Sequence, residues 1–294
     1  MQDVTRFKAY QILQTISPIG RAISISGLDY LPDARYSHHI CIPLEKPLMT
    51  TRRILITGAA GQIGGFLAQN LPAERYDLVL ADIRPPDFPH AAPFTSLDIA
   101  DLDAFRAACE GIDTVVHLAA DRRTTAPWET LLPANVIGAY NAFEAAHQAG
   151  CRRLIFASSV NAGSGYPREV QVHTEMPTHP GNLYGATKVW GEAVAHVYAD
   201  RHNLSCLCLR FGWVGSRERP RTMTDPLGLA MFLSHEDLMR LVICAIDASD
   251  NLHYGIFNGV SNNRYKGLDI TNAREILGYN PQDDGFALRE QQAD

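Results

Sequence analysis

No stretch of eighteen consecutive apolar residues occurs in this 294-residue chain, so no segment reads as a helix that crosses a membrane. The six cysteines (Cys41, Cys109, Cys151, Cys206, Cys208 and Cys244) contain no Cys-x-x-Cys pair and no zinc-like ligand spacing. Most lie in apolar segments, where a free thiol behaves as a small hydrophobe. Cys206 and Cys208, two apart on an expected strand, share one face. They read as reduced core thiols of a cytoplasmic protein, and no metal is expected. Basic charge is not in surplus either: 26 Lys and Arg face 32 Asp and Glu, a formal net charge of −6. A nucleic-acid partner would require a concentrated basic face, so none is expected.

The first 48 residues lack the charged start, apolar centre and small-residue cleavage site of a secretory signal. Their apolar patches, 12–19 and 22–31, follow no sustained period, and Met49 stands just before the first strand. Residues 1–48 are therefore expected to be a poorly ordered N-terminal extension, as an upstream start codon would give. A transit peptide is the alternative, against which Asp3 and Asp29 argue.

From residue 49 onward, short β-branched runs alternate with helical patterns. Strands are expected at 53–57, 77–81, 114–118, 153–158, 204–211 and 254–258, with long helices at 128–149 and 183–202. Near-continuous apolar strands separated by helices imply a parallel sheet covered on both faces. The expected fold is α/β, a Rossmann-type doubly wound sheet over 49–294. A loop-like stretch at 216–229, interrupted by Pro220 and Pro226, and a short tail with one helix near 270–277 break the alternation. A small substrate lobe is expected there, formed mainly by 213–233 and 254–294.

The first strand runs directly into Gly58-Ala-Ala-Gly61-Gln62-Ile63-Gly64 and then a helix. Glycine is needed where such a turn is tight and where backbone must approach a pyrophosphate, and the helix N-terminus offers N–H groups to the phosphates. Asp82 closes the second strand at the spacing of a ribose-binding carboxylate, which favours NAD over NADP. Arg84, two residues on, is the counter-argument. Asp98 and Ile99 are placed to meet the adenine, or Asp98 is a helix N-terminal acid.

Tyr184-Gly-Ala-Thr-Lys188 puts a phenol and an ammonium on one helical face, and follows a strand ending Ala157-Ser158-Ser159. A phenol of pKa about 10 becomes a useful base only where its surroundings favour the phenolate. Ser234-His235-Glu236-Asp237 reads as a helix cap and not a metal or triad site. Thr57–Gly64, His117-Leu-Ala-Ala120, Asn135-Val-Ile-Gly138, Phe156–Ser159 and Tyr184-x-x-x-Lys188 together resemble the extended short-chain dehydrogenase/reductase family, over roughly 53–287. Within it, segments 154–167, 183–188 and 232–238 are similar to the NAD-dependent uronate dehydrogenases.

That resemblance implies Tyr184 as general base and Lys188 as the group that lowers its pKa and holds the nicotinamide ribose. It implies that Ser159 binds the reacting hydroxyl and that Asn135 anchors a water leading to Lys188, for which helix packing is the alternative. Leu118, Ala119 and Ala120 would line NAD. Hydride would pass from a carbinol carbon, C1 of a small aldose or hexuronate, to NAD. Val160-Asn161 replaces the group's usual Asn-His beside the substrate, leaving Asn161 there. Arg221, with Arg217 and Arg219 nearby, is the candidate for a substrate carboxylate. The resemblance also implies a homo-oligomer joined through 128–149 and 183–202. The rival reading is a nucleotide-sugar epimerase or dehydratase that retains NAD; a non-catalytic NAD-binding scaffold is disfavoured by the intact Ser159, Tyr184 and Lys188.

Overall fold

A computed structural model describes residues 51–291; the expectation for 1–48 lies outside the described residues. Seven parallel strands form one sheet: β1 (Arg52–Thr57), β2 (Tyr76–Asp82), β3 (Phe94–Ser96), β4 (Thr114–His117), β5 (Arg153–Ser159), β6 (Ser205–Phe211) and, after the small lobe, β9 (Tyr254–Gly259). Their order across the sheet is β3-β2-β1-β4-β5-β6-β9. The chain winds outward from β1 in one direction and resumes at β4 in the other, so a crevice opens between the carboxyl ends of β1 and β4. The doubly wound sheet expected from the apolar runs is present. Every residue of β5 and β6 is buried, as helices on both faces require.

On one face lie α2 (Leu102–Ala108), α4 (Gly138–Gln148) and α5 (Leu183–His202); on the other lie α1 (Gln62–Asn70) and α7 (His235–Ile246). Local chemistry sets their ends. Asp101 accepts from the Ala104 N–H to cap α2, and Asn182 accepts from the Gly185 N–H to cap α5. Ser234 accepts from the Asp237 N–H at 3.0 Å, the expected cap of α7. Cys206 and Cys208 are both buried, and the cysteines of the described residues are free thiols.

The expected helix 128–149 is not uniform. It begins as α3 (Trp128–Leu131), passes through a π turn (Leu132–Ile137) and continues as α4. Pro133 lies in the turn, and a residue without an N–H interrupts the regular ladder. Nor is 216–229 simply a loop: a 3₁₀ turn (Arg219–Thr222) precedes α6 (Pro226–Ala230). Flanking strands β7 (Trp213–Gly215) and β8 (Phe232–Ser234) pair in parallel as a separate small sheet. The helices α8 (Thr271–Leu277) and α9 (Gly285–Glu290) follow β9, and α9 packs against the 3₁₀ turn.

Candidate active site

The glycine turn joins β1 to α1 beneath the crevice. Gly58 has φ +73°, and a Cβ there would lie 2.8 Å from the Ala119 nitrogen. A Cβ on Gly64 would overlap the Gly58 carbonyl oxygen. Only glycine fits either position. Gly61 caps α1 without a side chain, so the helix presents its first N–H groups uncapped, as a diphosphate would need. The Asp82 carboxylate accepts the Ala60 N–H at 3.0 Å, which locks the end of β2 to this turn. These residues fit a dinucleotide. Asp98 is exposed and accepts the Ala100 N–H, whereas Asp101 is the cap of α2. Ile99 is buried, its side chain against Gly138 and its carbonyl accepting from Asn141.

The end of β4 abuts the turn. The Leu118 and Ala119 N–H groups donate to the Thr57 hydroxyl at 3.2 and 3.4 Å. The same hydroxyl is hydrogen-bonded to Nδ1 of His117 at 2.8 Å. Burial, and then the Lys188 charge, push His117 down to about 3, so it is neutral. Its ring lies beside Phe156, whose face carries the Lys188 ammonium at 5.0 Å. Ala120 is half-buried.

The first two turns of α5 bring Tyr184 and Lys188 to the rim, beyond the end of β5. The Tyr184 ring packs with Ala126 and Leu131, and Lys188 lies 5.6 Å from it. Burial lowers the Lys188 ammonium to about 8. Burial pushes the Tyr184 phenol above its ordinary value of 10; the nearby Ser159 hydroxyl and the Arg122 guanidinium pull it back, and Asp121 adds to the rise. In this state the Ser159 hydroxyl and the Arg122 charge favour the phenolate.

Ser159 accepts from the Asn161 N–H and side-chain amide, both at 3.1 Å. Asn161 in turn accepts from Asn182 at 2.9 Å, which links Ser159 to the cap of α5. Asn135 is likewise occupied: its amide donates to the Asp121 carbonyl and the Thr187 hydroxyl and accepts from the Asp121 N–H. Beneath the site, Arg210 grips Glu192 at 2.7 and 2.8 Å, and Ser158 donates to the same carboxylate at 2.6 Å. This buried network, which ties α5 to β5 and β6, and the Asn182 link were missed in the sequence. The Asn-x-x-Gly cap spacing and two charges inside apolar runs were the available signals.

Of the three arginines in the substrate-lobe segment, Arg217 pairs with Asp283 at 3.0 Å, and Arg219 donates to the Val214 carbonyl. Arg221 is exposed and makes no side-chain ion pair among the described residues. No group of three or more potential metal ligands converges among the described residues.

Comparison with known proteins follows this geometry. Residues 54–230 match the model of the NAD dependent epimerase/dehydratase family. The chain is 34% identical over 249 residues to the NAD-dependent glucose-6-phosphate dehydrogenase of Haloferax volcanii, covering 78% of this chain and 93% of that one. It is 33% identical to the L-arabinose 1-dehydrogenase (NAD(P)(+)) of the same organism, covering 81% and 99%. The crystal structure of glucuronic acid dehydrogenase from Chromohalobacter salexigens superposes with a TM-score of 0.75 at 33% identity, covering 82% of this chain and 88% of that one.

Proposed function

This chain belongs to the NAD-dependent epimerase/dehydratase family, the extended short-chain dehydrogenases, and we propose that it oxidises a small aldose or hexuronate at the C1 hydroxyl. A hexuronate would give its aldarolactone. It is an oxidoreductase acting on CH–OH groups with NAD. The observation that carries the proposal is the gathering of Ser159, Tyr184 and Lys188 at the carboxyl rim of β5, beside a turn only glycine can make.

NAD, when bound, supplies the hydride acceptor. Gly58, Gly61, Gln62, Ile63 and Gly64 would hold its diphosphate, Asp82 its adenosine ribose, and Leu118 to Ala120 the floor between them. Asp98 and Ile99 would border the adenine. Ser159 orients the sugar hydroxyl, and Tyr184 removes its proton, aided by the Ser159 and Arg122 contacts that oppose the effect of burial. Lys188 binds the nicotinamide ribose and contributes positive charge beside the phenol. Asn135 and Asn161 serve as positioning residues, on the side-chain bonds described above. Arg221 reads a substrate carboxylate, which the absence of an ion pair to it among the described residues supports. The lobe formed by 213–233 and by the chain that follows β9, which itself belongs to the main sheet, covers the sugar.

The epimerase alternative requires a larger carboxyl-terminal lobe for a nucleotide diphosphate. The dehydrogenase relatives are instead matched over 93% and 99% of their length. A cytoplasmic homo-oligomer completes the proposal: Leu183, Trp190 and Val197, seven apart on α5, are 58%, 44% and 51% exposed. The test is NADH formation across a panel of uronates, sugar phosphates and neutral aldoses. Net NADH release supports a dehydrogenase; tightly retained NAD with no net reduction would overturn it.

A further inference from the structure

The loop that leaves β4 carries two consecutive arginines with different fates. Arg123 folds back onto Asp121 in a two-point ion pair at 3.0 and 2.6 Å. Arg122 is exposed and makes no side-chain ion pair among the described residues. Its place is nonetheless set by the residue before it. The Asn135 amide accepts the Asp121 N–H at 2.8 Å, donates to the Asp121 carbonyl at 2.9 Å, and donates to the Thr187 hydroxyl at 3.1 Å. Thr187 donates to the Tyr184 carbonyl at 2.7 Å. One amide thus ties the backbone next to Arg122 to the helical turn that bears Tyr184, and the Arg122 charge is felt at that phenol.

The sheet order supplies the second half of the argument. Strands β4 and β6 are the two neighbours of β5. The loop bearing Arg122 therefore leaves the sheet next to the strand that ends at Ser159, whereas Arg221 lies farther along the chain, in the 3₁₀ turn that follows β7. A guanidinium with five donors and no ion pair among the described residues, whose charge reaches the Tyr184 phenol, suits an anion brought by the substrate. Arg123 shows the alternative, a charge already neutralised within the loop.

We propose that Arg122 is a specificity residue that reads a terminal anionic group of the sugar, a carboxylate or a phosphate ester, from the β4 side. This rests on the sugar dehydrogenase reading above. It narrows that reading to the acidic sugars and adds a residue that the sequence pattern alone did not single out.

The experiment compares kcat/KM with NAD for galacturonate against galactose and for glucose 6-phosphate against glucose. The chains tested are the unsubstituted protein, Arg122→Gln, Arg122→Lys and, as a control, Arg123→Gln. The unsubstituted protein is expected to prefer one acidic sugar over its neutral counterpart, and which one distinguishes carboxylate from phosphate. Arg122→Gln should lower that preference about ten- to a hundredfold, the loss of a charge-assisted hydrogen bond, mainly through KM. Arg122→Lys should restore only part, because an ammonium cannot make the two-point contact. Arg123→Gln should leave the preference in place. Calorimetric titration of the same two acidic sugars onto the NADH-loaded proteins should show the same order without turnover. An unchanged preference in Arg122→Gln, or NADH formation from neutral aldoses with no preference for either acid, overturns the inference and leaves the dehydrogenase reading intact. No NADH from any sugar by the unsubstituted protein sinks that reading and the inference with it.

Discussion

Lys188 is only 4% exposed, and burial lowers its ammonium from 10.5 to about 8. Such a lowering means that the folded chain holds the charged form at a disadvantage of about 3 kcal/mol, at 1.36 kcal/mol for each pH unit. Below pH 8 both the folded and unfolded chains carry the proton, and the disadvantage is felt in full. Between pH 8 and 10.5 the unfolded chain binds more protons than the folded one, so stability rises with pH. Above 10.5 both are neutral and the effect is gone. The faces of Phe156 and Tyr184, at 5.0 and 5.6 Å, offset part of it, on the order of 1 kcal/mol. Lys188→Met keeps the length of the side chain and removes the charge. It is expected to stabilise the protein at pH 7 by about 2 kcal/mol, which raises Tm by about 5 °C in a unit of this size. The same variant should lose dehydrogenase activity, since function here works against stability. Urea unfolding at pH 7, 8.5 and 10 measures the gain and its decline. Destabilisation at pH 7, or a gain that persists unchanged at high pH, would refute the argument that Lys188 is a buried cation kept for its chemistry.

Tyr184→Phe should reduce turnover by about 10²–10⁴-fold while leaving NADH affinity nearly unchanged, because the ring still packs with Ala126 and Leu131; equal turnover would remove Tyr184 as the base. For the same reason, oxidative kcat/KM should climb from pH 6 to pH 9, since the base must lose a proton that burial holds in place. A flat profile counts against that base. Asp82→Ala should narrow the preference for NAD over NADP in paired kcat/KM measurements, and unchanged discrimination would argue against its ribose role. Glu192→Gln leaves the buried Arg210 guanidinium without its counter-charge and should cost about 3–5 kcal/mol in urea unfolding. Glu192→Leu combined with Arg210→Met should recover most of that loss, and equal instability of the single and double variants would show the pair is not the source.

The features legible in the sequence are those whose cause is local or repetitive. The glycine turn is set within seven residues, because Gly58 and Gly64 meet each other across it. Strand β5 is legible because burial on both faces leaves an almost unbroken apolar run. The three-residue strands β3, β7 and β8 are too short to show any period. Pro133 announces a disturbed helix, but the reason the π turn is held lies in Asn135, whose partners Asp121 and Thr187 are 14 and 52 residues away. Glu192 and Arg210 gave a stronger hint. A charge within a strand or helix buried on its neighbours must find a partner, although the sequence does not name it. The arginines mark the boundary most sharply. Arg122, Arg123, Arg217, Arg219 and Arg221 are equivalent as letters, and only their carboxylate and carbonyl partners separate three that are internally engaged from two that make no ion pair among the described residues. Which charges the fold pairs internally is a property of tertiary contacts that no motif spacing encodes.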